Sequence, residues 1–224
     1  MAEVTLFSAR ACPFAHRTRL VLAEKKIPFE LKEIDLRNKP AWFDASISGY
    51  GKVPALDHGG VRLWESTIVN EYLDEVFPAP ALLPKDPAKR AAARIWIDYA
   101  NTRFVPAFGA LLRGEGDGER TRAQELSDVL AYIEREGLER LGASGLFFLG
   151  DAPSLVDFAF YPWFERWGAL QHYRGLALPR NLPRLLRWTE ALRGLDSVKA
   201  HQNTLEFYVE RYARYAAPKA DAVT

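Results

Sequence analysis

The sequence predicts an α/β domain followed by an all-helical domain, and three observations carry that reading. Strand and helix signals alternate over the first 77 residues. Four prolines then fall within the ten residues of "PAPALLPKDP" (78–87), and the periodic segments beyond have helical spacing. Domains are therefore expected at 1–77 and 88–224, joined by a linker at 78–87. Of the 224 residues, 48% are apolar, enough to bury full cores without covalent staples.

Taken in order, "VTLFS" (4–8) reads as a short buried strand. Pro13 to Lys26 reads as a helix, with Phe14, Val21 and Leu22 near one face and Arg17, Arg19 and Glu24 elsewhere. "FELKEIDL" (29–36) reads as a second strand whose apolar phase shifts between Leu31 and Ile34, as at a bulge. A short helix is expected near Trp42. "VPAL" and "VRLW" flank Asp57-His58-Gly59-Gly60, a hairpin connector. Ile68, Val69, Tyr72, Leu73 and Val76 stripe a helix over Ser66–Val76. The order β-α-β, then β-β-α, is that of a thioredoxin-like domain. Beyond the linker, a long helix from Ala88 is expected to bend at Pro106. Further helices are expected over Arg120–Leu141 (Ala123, Leu126, Leu130 and Ile133 inward), Leu155–Ala169, Pro183–Arg193 and Thr204–Tyr215. The last few residues are expected to be disordered.

Composition removes several function classes. One cysteine excludes an internal disulfide framework and fits a reducing, cytoplasmic setting. No basic segment leads from Met1-Ala2-Glu3 into an apolar core, so no secretory leader is expected. The longest charge-free run, "LGASGLFFLG" (141–150), is too short to cross a bilayer. A net charge of +1 shows no nucleic-acid footprint. The four histidines lie too far apart for metal-ligand spacing, so no metal is expected.

The chemistry-bearing stretch is "ARACPFAHR" (9–17), which holds the lone Cys12 between the first strand and first helix. Pro13 suits the opening helical position, which puts Cys12 at the helix start. Free amides and the helix dipole favour an anion there and can bring a thiol pKa from about 8.5 to roughly 3.5–7.5. A lone cysteine is more often an inert buried residue, but this position favours a reactive thiolate. Ala15 stands where a second thiol would complete a Cys-x-x-Cys pair, so a resolving thiol must come from outside. His16 lies near Cys12 but faces outward by helical phase, which argues against a general base.

Other motifs read more plainly. Pro54 is, from spacing alone, an ordinary strand-initiating proline. Glu65 and Ser66 open the third helix; a carboxylate beside helix-start donors suits an amino-acid head group, although Ser at a helix start is ordinarily a cap. Ser154 and Asp157 have capping-box spacing and are structural. Phe158, Phe160, Trp163, Phe164 and Trp167 read as core, and Arg166 among them as a solvated or cap-pairing arginine. The arginines of "RLLRWTEALR" (184–193) fit an exposed helix face.

Six segments in order, "CPFAHRTRLVL", "LRNKPAWF", "KVPAL", "WESTIVNEYLDE", "LLPKDP" and "SLVDFAFYPWFERW", span both domains. On them the chain resembles the cytosolic glutathione transferases, and within that superfamily the omega-like, cysteine-type class. The resemblance implies a thioredoxin-like domain plus an all-α domain, and glutathione as cosubstrate. Glu65 and Ser66 match positions that bind the γ-glutamyl head, and Val53 the residue whose backbone pairs with the cysteinyl unit, before a cis proline at Pro54. Lys39 matches a basic residue near the glycyl carboxylate, and Cys12 the cysteine that forms a mixed disulfide with glutathione. Phe14, Trp163, Arg166 and Tyr208 match positions lining the second-substrate pocket, and Phe14 is also counted with the glutathione-binding residues. Two departures stand out: Ser48-Gly49-Tyr50-Gly51 replaces an "NPFG" loop, and His16 stands where omega-like proteins commonly have an acidic or amide residue. Classes that activate glutathione by a hydroxyl use Tyr or Ser near the first helix, and Ser8 is the nearest here.

The implied activity is a glutathione-dependent thiol transferase or reductase that removes glutathionyl groups from small electrophilic or disulfide substrates. The partners implied are glutathione, that substrate and a second copy of the chain as a homodimer, with no nucleic acid and no membrane. The alternative enzyme reading is a glutathione-dependent ether lyase or dehydroascorbate reductase on the same scaffold. "TLFS", "RLVLAEKKIPFEL" and "LWESTIVNEYLDE" also resemble stringent starvation protein A, a non-enzymatic partner of RNA polymerase, which generally lacks the Cys-Pro-Phe signature.

Overall fold

The computed structural model describes residues 3–43, 47, 51–114 and 118–217. Ser48, Gly49 and Tyr50 of the departing loop, and the tail 218–224, lie outside the described residues.

The first unit is a four-stranded mixed sheet in the order β2-β1-β3-β4. Strand β1 (Val4–Ser8) is central, parallel to β2 (Phe29–Glu33) and antiparallel to β3 (Ala55–His58), which pairs with β4 (Val61–Trp64). The β3–β4 turn needs two positive φ angles, and Gly59 (57°) and Gly60 (90°) supply them. Asp57 accepts from the Gly60 N–H to close it. Strand β2 stops three residues earlier than expected. Leu31 stays exposed on this edge strand, whereas Ile34 turns into the core as its N–H bonds Ser8 O at 2.7 Å. That is the apolar phase shift seen in the sequence.

Helix α1 (Pro13–Glu24) departs from the amphipathic reading. Ala15 to Leu22 are all buried, including His16, Arg17 and Arg19. The sheet covers one side of it, while α3 (Ser66–Val76), α7 (Leu155–Glu165) and α10 (Asp196–Lys199) close the others. A helix packed all round has no solvent face on which to place charges. The short α2 (Ala41–Phe43) sits beside the sheet and buries Phe43.

Residues 78–87 are tied down rather than loose. The Asp74 carboxylate accepts from Lys25 Nζ (2.7 Å) and from the backbone N–H groups of Leu82 (2.8 Å) and Leu83 (3.0 Å), and both leucines are buried. The long helix then runs as α4 (Pro87–Tyr99), a widened π-type turn (Ala100–Phe104) and α5 (Val105–Arg113). The irregularity comes just before Pro106, whose missing N–H cannot continue the i→i−4 ladder, and the wider turn absorbs the break.

Helix α6 (Glu119–Tyr132) buries Leu126 and Leu130 and passes into a second widened stretch (Ile133–Leu141). The capping box at α7 forms: Ser154 N–H and Oγ both donate to Asp157. Asp157 also accepts from Phe148 N and from Trp188 Nε1 at 2.7 Å, which ties α7 to α9 (Pro183–Gly194). Phe148, Phe160, Phe164 and Trp188 stack around it as the core of the helical unit. The expected Leu155–Ala169 helix is two helices, breaking at Arg166 into α8 (Trp167–Arg174). Arg187 and Arg193 of α9 are exposed, but half-buried Arg184 donates to Leu138 O and Gly145 O. Helix α11 (Leu205–Ala216), capped by Thr204, is the last element among the described residues.

Candidate active site

Cys12 caps α1 with an extended backbone (φ −75°, ψ 119°), and Pro13 follows as the first helical residue. Its N–H bonds Ala9 O at 2.9 Å and its C=O accepts from His16 N at 3.0 Å, which locks the strand-to-helix turn. The thiol is half-buried and lies 3.7 Å from the carbonyl of Val53, the residue before Pro54. The Val53–Pro54 peptide is cis, against the plainer strand-initiating reading from spacing. The expected lowering of the thiol pKa is outweighed. Desolvation pushes it up, against the helix-start amides of Ala15 and Phe14 and the charges of Arg166 and Arg19, which pull it down.

Three contacts bring the other expected glutathione-side residues toward Cys12. Val53 meets the thiol directly. Lys39 Nζ donates to Gly51 O at 3.1 Å, two residues before Val53. Ser66, buried at the first position of α3, accepts from Arg17 Nη1 at 3.3 Å. Glu65, exposed at the cap of α3, is held at φ 67°, a conformation that costs a non-glycine residue about 1–3 kcal/mol. That geometry sets the carboxyl-bearing residue directly before the free N–H groups of the helix.

A cavity of about 650 Å³ opens beside Cys12. Phe14 and Trp163 form one wall, edge to face at 5.2 Å, and Phe108 and Tyr212 contribute from α5 and α11. Trp163, read as core, is buried and also faces this cavity. Arg166 and Tyr208, expected in the pocket, are fully buried and do not line it. They stand behind it, with the Arg166 guanidinium 4.4 Å above the Tyr208 ring. Arg166 is therefore neither solvated nor pocket-lining. It donates to Pro162 O (2.6 Å), to Ala11 O (3.4 Å) and to His16 Nδ1 (3.1 Å).

His16 is the second correction, since it is fully buried instead of facing outward. Because a guanidinium has only donors, Nδ1 must accept, which assigns the proton to Nε2, 3.8 Å from Glu165 Oε2. Burial holds the imidazole well below its usual pKa, with Arg166, Arg19 and His201 adding to the effect. Glu165, raised by burial, accepts from the Tyr208 hydroxyl and from Asn203 N–H.

Sequence reasoning missed Arg17 and Arg19. Arg17 reaches Ala159 O (2.9 Å), Asn101 Oδ1 (2.8 Å) and Ser66, and lies 4.7 Å over the Trp163 ring. Arg19 donates to Ser8 Oγ, Ala9 O and Arg10 O. Ser8 is buried and its hydroxyl is taken by Arg19, so the rival hydroxyl is not presented to the cavity. The only available signal was charge at positions of α1 that the sheet and α7 enclose.

With this geometry in view, residues 11–76 match the family described as Glutathione S-transferase, N-terminal domain, and residues 117–191 its C-terminal domain. Mouse glutathione S-transferase omega-1 is 32% identical over 222 residues, covering 98% of this chain and 89% of the relative. The chain belongs to the glutathione S-transferase family. Among solved structures, glutathione transferase Omega 3C from Trametes versicolor superposes with a TM-score of 0.85 at 30% identity, covering 96% of this chain and 91% of that one. Rice GST1, solved in complex with glutathione, gives 0.85 at 29%, covering 96% of each. This omega-like member of the family has its small mixed sheet and helical C-terminal domain. Among the described residues, no helix is long and apolar enough to cross a membrane and no cluster of metal-ligating side chains occurs.

Proposed function

We propose that this glutathione S-transferase family member is a glutathione-dependent thiol transferase or reductase that works through Cys12. The observation that carries the reading is the placement of the only cysteine at the start of α1. It lies against the Val53 carbonyl beside the cis Pro54, and on the wall of an open cavity. Glutathione is proposed to bind residues of the 1–77 domain: Glu65 and Ser66 at its γ-glutamyl end, the Val53 backbone at its cysteinyl unit, and Lys39 at its glycyl carboxylate. Phe14 borders both that site and the second-substrate cavity, where Trp163 faces it. Arg166 and Tyr208 support the wall from behind.

In the reaction, the Cys12 thiolate attacks the glutathionyl sulfur of a mixed disulfide. A Cys12–glutathione disulfide forms, the old S–S bond breaks, and the departing thiolate takes up a proton from solvent. A second glutathione thiolate then attacks the glutathionyl sulfur on Cys12, releasing oxidised glutathione and restoring the Cys12 thiolate. Burial raises the Cys12 pKa, so deprotonation precedes the attack, and the helix-start amides of Ala15 and Phe14 together with the charges of Arg166 and Arg19 favour the thiolate.

Intact-mass measurement after incubation with oxidised glutathione at neutral pH tests this reading. One glutathionyl group is expected on the native protein, removable by excess glutathione, and none on Cys12→Ser. No adduct on a folded protein that also fails to bind glutathione overturns it. We also propose a homodimer and a cytoplasmic setting. The exposed Ile68 and Ile95, on α3 and α4, fit a subunit contact, and sedimentation at micromolar concentration would show a single 25.3 kDa species if the dimer does not form.

A further inference from the structure

The cavity and the proposed glutathione site meet at Cys12 and Phe14 and otherwise draw on different residues. Cys12 and Phe14 line the cavity, but Lys39, Val53, Pro54, Glu65 and Ser66 do not. The cavity is therefore a compartment for whatever group Cys12 separates from glutathione, and its chemistry is read from its own lining.

That lining has two parts. Phe14, Phe108 and Trp163 give a flat aromatic interior. The remainder is strongly basic, with Arg10, Arg37, Arg113, Arg211 and Arg214 against only two carboxylates, Glu33 and Asp35. A chain with a formal net charge of +1 thus concentrates a local surplus of positive charge around one opening. The two carboxylates are directed to main chain: Glu33 accepts from Arg10 N–H and Asp35 from Arg37 N–H. Three of the guanidinium groups lie over aromatic faces. Arg10 is 4.7 Å and Arg211 5.6 Å from the Phe207 centroid, and Arg214 is 4.6 Å from that of Tyr215. Stacking of this kind limits the rotamers of a long side chain. Arg10 Nε donates to Asn203 Oδ1 and Arg214 Nη2 to the Tyr215 hydroxyl, which fixes these two further and leaves their other N–H groups to meet an anion. The arginines come from both ends of the chain, Arg10 after β1 and Arg211 and Arg214 on α11, so they surround the opening.

Resting on the thiol-transfer reading, we propose that the group carried by the second substrate is an aromatic or similarly flat apolar body bearing a carboxylate or equivalent anion. The body enters between Phe14, Trp163 and Phe108, and the anion is met by the arginines at the opening. Cys12 takes the glutathionyl sulfur, and the aryl thiolate leaves with the electrons of the broken S–S bond.

The test compares two mixed disulfides of glutathione, one with 4-mercaptobenzoate and one with its methyl ester. The kcat/KM ratio of carboxylate to ester is measured for the native protein, R211Q/R214Q and R211E/R214E, so that intrinsic leaving-group differences cancel between variants. A native preference of about tenfold for the carboxylate is expected at low ionic strength. It should shrink as salt shortens the screening length, shrink again in R211Q/R214Q, and reverse in R211E/R214E. A ratio that stays constant across salt and variants overturns the inference. If the variants fail to fold, the salt series on the native protein still decides. Glutathionylation of Cys12 by oxidised glutathione separates the two layers: absent, the thiol-transfer reading fails; present with an unmoved ratio, only the anionic-substrate inference fails.

Discussion

Two groups of arginines surround the Cys12 region, and they are held by different forces. Arg17, Arg19 and Arg166 are almost wholly buried behind the thiol, whereas Arg10, Arg211 and Arg214 stand exposed at the cavity opening. The hydrogen bonds of the buried three run to carbonyls, hydroxyls, an amide and an imidazole. Their role is to hold main chain. Arg19 and Arg166 together bind the carbonyls of Ala9, Arg10 and Ala11, the turn that delivers Cys12. The exposed three lie on aromatic rings with solvent beyond. One residue type thus builds a rigid support on one side of the thiol and a ligand-facing field on the other.

The difference should appear first in stability. In Arg166→Met, His16 Nδ1, Ala11 O and Pro162 O lose their donor and Glu165 loses one of the charges that favour its ionised form. A loss of about 2–4 kcal/mol in urea denaturation is expected from the buried acceptors left unpaired. R211Q/R214Q, measured in the same series, should stay within about 0.5 kcal/mol of the native protein, because exposed side chains contribute little to folding. Equal losses in the two variants would erase the distinction between support and opening.

How much of this was legible in the sequence follows the same division. The hairpin at Gly59-Gly60, the Ser154–Asp157 capping box and the position of Cys12 before Pro13 rest on local rules, and the structure has all three. The placements of His16, Arg17 and Arg19 did not follow, because a helical wheel assumes one face in water and α1 has none. Arg166 failed for a related reason: its partners, His16 and Ala11, lie some 150 residues away in the chain, a contact that no local pattern encodes. The break at Arg166 and the π-type turn before Pro106 are likewise tertiary adjustments within long helical patterns. The cavity's basic opening was invisible for the same cause, being assembled from Arg10 and from a helix that begins at Leu205.

The finest test of the support concerns a proton. His16 accepts from Arg166 through Nδ1, so protonating it would break that bond and bring a cation against Arg166 and Arg19. Its folded pKa lies well below the ordinary value of 6.5, so between those two values the unfolded chain binds a proton that the native protein does not. Unfolding free energy therefore falls as pH drops below about 6.5, with a slope of at most ~1.4 kcal/mol per pH unit from this residue. His201, also lowered by burial, and the carboxylates add their own slopes, but these are common to a His16→Gln variant. Glutamine can accept from Arg166 and donate toward Glu165 without titrating. Urea denaturation from pH 7 to 5 should thus show a shallower decline for H16Q than for the native protein. Parallel curves would mean that His16 takes up its proton equally in both states, and that Arg166 does not hold it as a neutral acceptor.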